Sequence, residues 1–127
     1  MPGGEIMTKV LVVDDEKEVV DFLCNFLKRF KLESEKANDG KEAIDVYEKI
    51  RPEFTFLDIK MPQMDGLDVL REIKKINQNA KVIMITGRED KESQSKAKKL
   101  GALDYVVKPL DLEELHRKIQ EHILDQI

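Results

Sequence analysis

Four short apolar runs in this chain each lead into a residue capable of polar chemistry. KVLVV (9–13) runs into Asp14-Asp15 and then Glu16, and FTFL (54–57) into Asp58. KVIMI (81–85) runs into Thr86-Gly87, and DYVV (104–107) into Lys108-Pro109. If the four ends meet, Asp14, Asp15 and Asp58 share one crevice with a hydroxyl and an ammonium. Carboxylates a few ångströms apart repel, and their pKa values rise unless a cation lies between them. Oxygen donors without His or Cys suit a hard cation such as Mg2+, which uses one or two carboxylates, keeps several waters and also takes phosphate oxygens. A lysine and a hydroxyl beside such a cation can hold the oxygens of a phosphoryl group. A carboxylate can itself be the nucleophile, giving an aspartyl-phosphate. Singly, Asp15 reads equally well as a helix N-cap, Thr86 as a β-branched strand residue and Lys108 as a surface charge. Their joint occurrence at the ends of four runs is what points to a site.

These residues meet only if the elements carrying them are arranged suitably. Lys9–Val13, Phe54–Asp58 and Lys81–Thr86 have the continuous apolar character of strands buried on both faces. Asp104–Val107 is a further strand, and Leu32–Ala37 is a more polar one suited to a sheet edge. Between them the apolar residues recur at helical spacing. Val19, Leu23, Phe26, Leu27 and Phe30 mark a helix over Glu16–Phe30, and Ala43, Ile44 and Tyr47 one over Gly40–Ile50, stopped by Arg51-Pro52. Leu67, Leu70, Ile73 and Ile76 mark Gly66–Ile76; Leu112, Leu115, Ile119, Ile123 and Ile127 mark Leu112–Ile127. Lys91–Leu100 is a helix with only Ala97 and Leu100 as apolar residues. Asp15, Asp39, Asp65 and Asp111 each precede an acid three residues on, which predicts N-caps for four helices. Strict alternation of strand and helix with short connections predicts an α/β fold, a parallel sheet with helices on both faces. In such sheets ligands bind beyond the carboxyl ends of the strands. The chemistry-bearing residues occupy those ends.

The 127 residues suffice for one domain, taken as 8–127, with residues 1–7 (MPGGEIM) as a flexible lead-in. Charged residues make up 38% of the chain and leave a net charge of −4, which argues against a surface built wholly for nucleic acid. Apolar runs such as Val10–Val13 fall far short of the ~20 residues of a membrane span, and the start lacks signal-peptide character. The single Cys24 excludes an internal disulfide and fits a reducing, cytoplasmic setting; it reads as a small helix residue. His116 and His122 lie six apart, on different faces of the last helix, and read as surface or boundary residues.

VLVVDDE (10–16), LDIKMPQMDG (57–66), VIMITG (82–87) and DYVVKP (104–109) together resemble the receiver domain of bacterial two-component response regulators, over Thr8 to Gln126. The resemblance implies a doubly wound, flavodoxin-like five-stranded parallel sheet of order 2-1-3-4-5 with five helices. It implies Asp58 as phosphoacceptor, taking a phosphoryl group from the phosphohistidine of a histidine kinase or phosphotransfer protein. Asp15 is then the direct Mg2+ ligand, Asp14 the acid acting mainly through water, Lys60 a backbone-carbonyl ligand, and Asp58 itself a member of the metal set. Thr86 follows the phosphoryl oxygen on activation, Lys108 pairs with the acceptor, Pro109 follows a cis bond, and Tyr105 is the switch aromatic. Gln63 stands where a small turn residue is common, Gly87 where Ala is frequent and Leu103 where a polar residue is.

An enzyme, a Mg2+-dependent aspartyl-phosphate phosphatase, is the main alternative, but it wants an acid two residues past the nucleophile, where this chain has Lys60. A phosphate-binding cofactor carrier would want a small-residue loop after the first strand, where this chain has three acids. Whether the chain is a stand-alone receiver or belongs to a longer DNA-binding regulator stays open. The cations Lys60 and Arg88, each two residues past a site residue, predict slow loss of the phosphoryl group. The thinly apolar helix 91–100 joins Thr86 to Tyr105. With strand 104–107 and helix 112–127 it predicts the face for a downstream protein or a second copy, without nucleic-acid or membrane contact.

Overall fold

The computed structural model describes residues 8–87 and 90–126; the expected lead-in 1–7, Arg88 and Ile127 lie outside them. Five strands, β1 (Lys9–Val13), β2 (Glu33–Ala37), β3 (Phe54–Asp58), β4 (Lys81–Gly87) and β5 (Asp104–Lys108), alternate with five helices. These are α1 (Lys17–Lys28), α2 (Gly40–Ile50), α3 (Gly66–Ile76), α4 (Lys91–Lys99) and α5 (Leu112–His122). Every strand pair is parallel and the order is β2-β1-β3-β4-β5, the doubly wound arrangement anticipated.

Two apolar layers follow from the period of two along each strand. Val10 and Val12, Phe54 and Phe56, Ile83 and Ile85, and Val106 pack under α1 and α5, against Leu23, Leu27, Leu115 and Ile119. Leu11 and Val13, Leu57, Val82 and Met84 point the other way, against Tyr47 of α2, Leu70 and Ile73 of α3, and Ala97 of α4. Asp14, Asp58 and Lys108 continue the parity of the first set. They emerge at the carboxyl end of the sheet on the α1/α5 side. β2 exposes Glu33, Glu35 and Lys36 because it is an edge with one strand neighbour, and the charges discourage a further strand from adding there.

Asp39, Asp65 and Asp111 cap α2, α3 and α5 as expected, accepting from the backbone N–H of Glu42, of Asp68, and of both Glu113 and Glu114. Asp15 does not cap α1. Glu16 occupies that position without a side-chain cap bond. Asp14 Oδ1 takes the Glu16 N–H instead, at 2.9 Å, and draws the turn toward the crevice. Asp90 caps α4, accepting from the Ser93 N–H. The last helix stops at His122 and gives way to a 3-10 turn over Leu124–Gln126, so the apolar register through Ile123 does not extend one helix to the end. α4 buries Ala97 alone.

Candidate functional site

At the carboxyl end of β1, Asp14 has no solvent exposure, and Asp58 at the end of β3 has 3%. Burying two ionised carboxylates is costly unless they are paired. The pairing group is Lys108 at the end of β5. Its Nζ lies 3.1 Å from Asp14 Oδ2, 3.0 Å from Glu16 Oε1 and 3.6 Å from Asp58 Oδ2. The Lys108–Pro109 bond is cis. Asp15 stays exposed beside this group. Asp14, Asp15 and Glu16 each bring one carboxylate oxygen within 4.8 Å of the others. Asp58 is tied to them through Lys108.

One ammonium does not balance this many acids. Burial, followed by the negative charge of Asp14, pushes the Asp58 carboxyl up from 3.8 to about 7, against the opposing pull of Lys108. Desolvation alone would lower the Lys108 ammonium, but its contacts with Glu16, Asp14 and Asp58 outweigh it and raise it. Asp14 Oδ2 and Asp58 Oδ2 are fully buried and receive no well-directed hydrogen bond among the described residues. Two buried carboxylate oxygens that share one ammonium, beside an exposed acid, are a donor set that fits a hard divalent cation.

Thr86 is 1% exposed and lies one step past Ile85, the β4 residue paired with Asp58. Its Oγ1 donates to the Gly87 carbonyl at 3.3 Å. Among the described residues it binds no carboxylate. Among the described residues a Cβ on Gly87 would meet nothing within 4 Å. Lys60 is exposed on the loop after β3, where Gln63 takes the left-handed φ of 69° in place of a small turn residue. Tyr105 is 39% exposed and lines a groove with Gln94 and Lys98 of α4. His116 is exposed and stacks on Phe30, and His122 is half-buried.

Sequence reasoning missed one charged group. Lys118 of α5 is 8% exposed and pairs with Asp104 and Glu114. The signal was its place between Leu115 and Ile119 on the apolar face of the helix. Among the described residues no helix is long and apolar enough to cross a membrane.

Residues 10–120 match the family described as the response regulator receiver domain. Over 115 residues the chain is 31% identical to sporulation initiation phosphotransferase F of Bacillus subtilis, covering 91% of this chain and 93% of that protein. It is 35% identical over 114 residues to the regulatory protein AtoC of Escherichia coli, covering 90% of this chain but spanning only 25% of that protein. Among solved structures it resembles the CheX–CheY–BeF3–Mg2+ complex of Borrelia burgdorferi, with a TM-score of 0.86, 30% identity, and coverage of 95% of this chain and 92% of that one.

Proposed function

The chain belongs to the response regulator receiver family, phosphoacceptor switches of two-component systems, and from that premise we propose that Asp58 is its phosphorylated residue in a Mg2+-dependent transfer from a histidine kinase or phosphotransfer protein. The observation that carries the assignment is the buried Asp58 carboxylate at a strand end, with an orphaned Oδ2 and an ammonium 3.6 Å away. An Asp58 oxygen attacks the phosphorus of a phosphohistidine; the new O–P bond forms as the P–N bond breaks, and the imidazole leaves with the electron pair. Asp14, Asp15 and Asp58, with the Lys60 carbonyl, would hold Mg2+, which would supply positive charge that keeps Asp58 ionised and offsets charge on the phosphoryl oxygens. The Borrelia complex pairs Mg2+ with BeF3 and a protein partner, which supports this reading.

Lys108 then exchanges part of its contact with Asp58 for a phosphoryl oxygen. Its other contacts, to Asp14 and Glu16, keep it in place meanwhile. The Thr86 hydroxyl, held among the described residues by a 3.3 Å bond to a neighbouring carbonyl, turns toward the new oxygens. Its movement vacates room for the Tyr105 ring. The signal leaves through α4, β5 and α5, where Lys91, Lys96, Lys98 and Lys99 offer positive charge to a partner or to Glu113, Glu114 or Glu121 of a second copy. The setting is cytoplasmic, where such kinases present their phosphohistidine.

Incubation with a small phospho-donor and Mg2+, followed by intact-mass measurement, tests the assignment. A gain of one phosphoryl group is expected in wild type. An equal gain in Asp58→Ala, or in metal-free buffer, overturns it.

A further inference from the structure

On α5, remote from the carboxylates, Lys118 is buried, at 8% exposure. Its Nζ lies 3.2 Å from Asp104 Oδ1 and 3.3 Å from Glu114 Oε1, and it donates to the Tyr105 backbone carbonyl. It also sits 5.0 Å from the centroid of the Tyr105 ring. Asp104 is fixed in turn: Oδ1 accepts the Tyr105 N–H at 2.7 Å, and Oδ2 lies 2.8 Å from His122 Nε2. The ammonium is therefore anchored from α5 and from the start of β5, with one direction left, and the Tyr105 ring fills it. Beyond the ring a groove opens between α4 and β5, lined by Gln94, Lys98 and Leu103. The ring thus has a desolvated cation at its face and open space beside it.

We propose that Lys118 is a positioning residue that holds the Tyr105 ring outward through this cation–π contact, so that inward movement of the ring must break it. The inference rests on the reading of Tyr105 as the switch aromatic given above. A contact present in only one of two states biases their equilibrium by its own strength. Asp104 and Glu114 keep the ammonium in place whichever way the ring points, so the ring contact is the part that differs. For a partly desolvated cation–π contact that bias is roughly three- to tenfold. Lys118 therefore acts against activation, and its removal should tighten binding of a phosphoryl mimic at Asp58.

The chain has two tyrosines, so 3-fluorotyrosine labelling gives two fluorine resonances, with buried Tyr47 as the internal reference. Wild type, Lys118→Met, Lys118→Arg, Tyr105→Leu and the Lys118→Met/Tyr105→Leu double variant are titrated with beryllofluoride in Mg2+. Affinity is read by calorimetry. In Lys118→Met the Tyr105 resonance should move, before any ligand, toward its ligand-bound position, and affinity should rise about three- to tenfold. Lys118→Arg should stay near wild type. In the Tyr105→Leu background, Lys118→Met should change nothing. If Lys118→Met unfolds, as the Tyr47 resonance would report, Lys118→Met/Glu114→Gln removes one of the stranded carboxylates and takes its place. An unmoved Tyr105 resonance with unchanged affinity overturns the proposal, as does an affinity gain that persists without Tyr105. A wild-type Tyr105 resonance that ignores saturating beryllofluoride overturns the switch reading itself, a separate and recognisable result.

Discussion

Gly66 lies so close to Asp58 that a Cβ placed on it would stand 2.1 Å from the Asp58 carbonyl oxygen. Its N–H donates to the Ile59 carbonyl at 2.7 Å. The first residue of α3 is thereby clamped to the end of β3, and the loop carrying Lys60 and Gln63 is closed at its base beside Asp58. Gly66→Ala must push this backbone apart. A loss of about 3 kcal/mol or more is expected, from overpacking against groups that cannot yield. Gly87→Ala is the contrast: its Cβ meets open space. It should be neutral or stabilise by up to about 1 kcal/mol through the unfolded chain. Denaturant melts of the two variants check both, and equal effects would contradict the clamp.

Asp58 makes the metal-free protein sensitive to pH. Its carboxyl is raised from 3.8 to about 7 in the fold, chiefly by burial and then by Asp14. Between these values the unfolded chain has released the proton that the folded state retains, so stability falls as pH rises through the interval and the full penalty stands above 7. Asp58→Asn removes it. The variant should be more stable than wild type above pH 7, by at most about 4 kcal/mol, and the advantage should fade toward pH 4. Thermal melts in chelator across that range measure this. An advantage that instead grew toward pH 4 would contradict the assigned direction.

Mg2+ should stabilise wild type, because a ligand that binds only the folded state raises its melting temperature. The gain should shrink in Asp15→Asn, which touches an exposed acid and leaves the buried pair intact. A melting temperature indifferent to millimolar Mg2+ in wild type would remove the basis for the metal site.

Lys60 is exposed two residues past Asp58 and offers neither a carboxylate nor an amide to orient an attacking water. The phosphorylated protein should lose its phosphoryl group slowly. Lys60→Asn should speed that loss severalfold, followed by mass over time. Slower or unchanged decay would count against a role for this side chain.

α4 buries Ala97 alone among its nine residues. Segments with so few apolar contacts open most readily. On binding beryllofluoride, changes in amide exchange should concentrate in residues 87–108. Changes concentrated in α2 would place the response on the wrong side of the sheet.

The alternation of apolar runs with 3.6-residue periodicity was enough to determine the strands, the helices and the parallel sheet, because both periods are local properties of the chain. It also placed Asp14, Asp58, Thr86 and Lys108 at strand ends, since a polar residue closing a buried run has only the sheet's rim to occupy. The strand order came from resemblance; local periodicity carries no information on which strand neighbours which. Tertiary structure alone decided the pairing of charges. Asp15 was expected to cap α1, but Asp14 Oδ1 takes the Glu16 N–H and Glu16 reaches Lys108, 92 residues away. The early end of α5 likewise has no marker at His122, where neither Gly nor Pro interrupts the apolar spacing. Lys118 reads in sequence as a charge misplaced on an apolar helix face. Helical spacing already sets Glu114 beside it, one turn earlier on α5, but only the fold brings Asp104 and the Tyr105 ring, because both arrive from β5, and a contact between separate elements leaves no trace in the spacing of either.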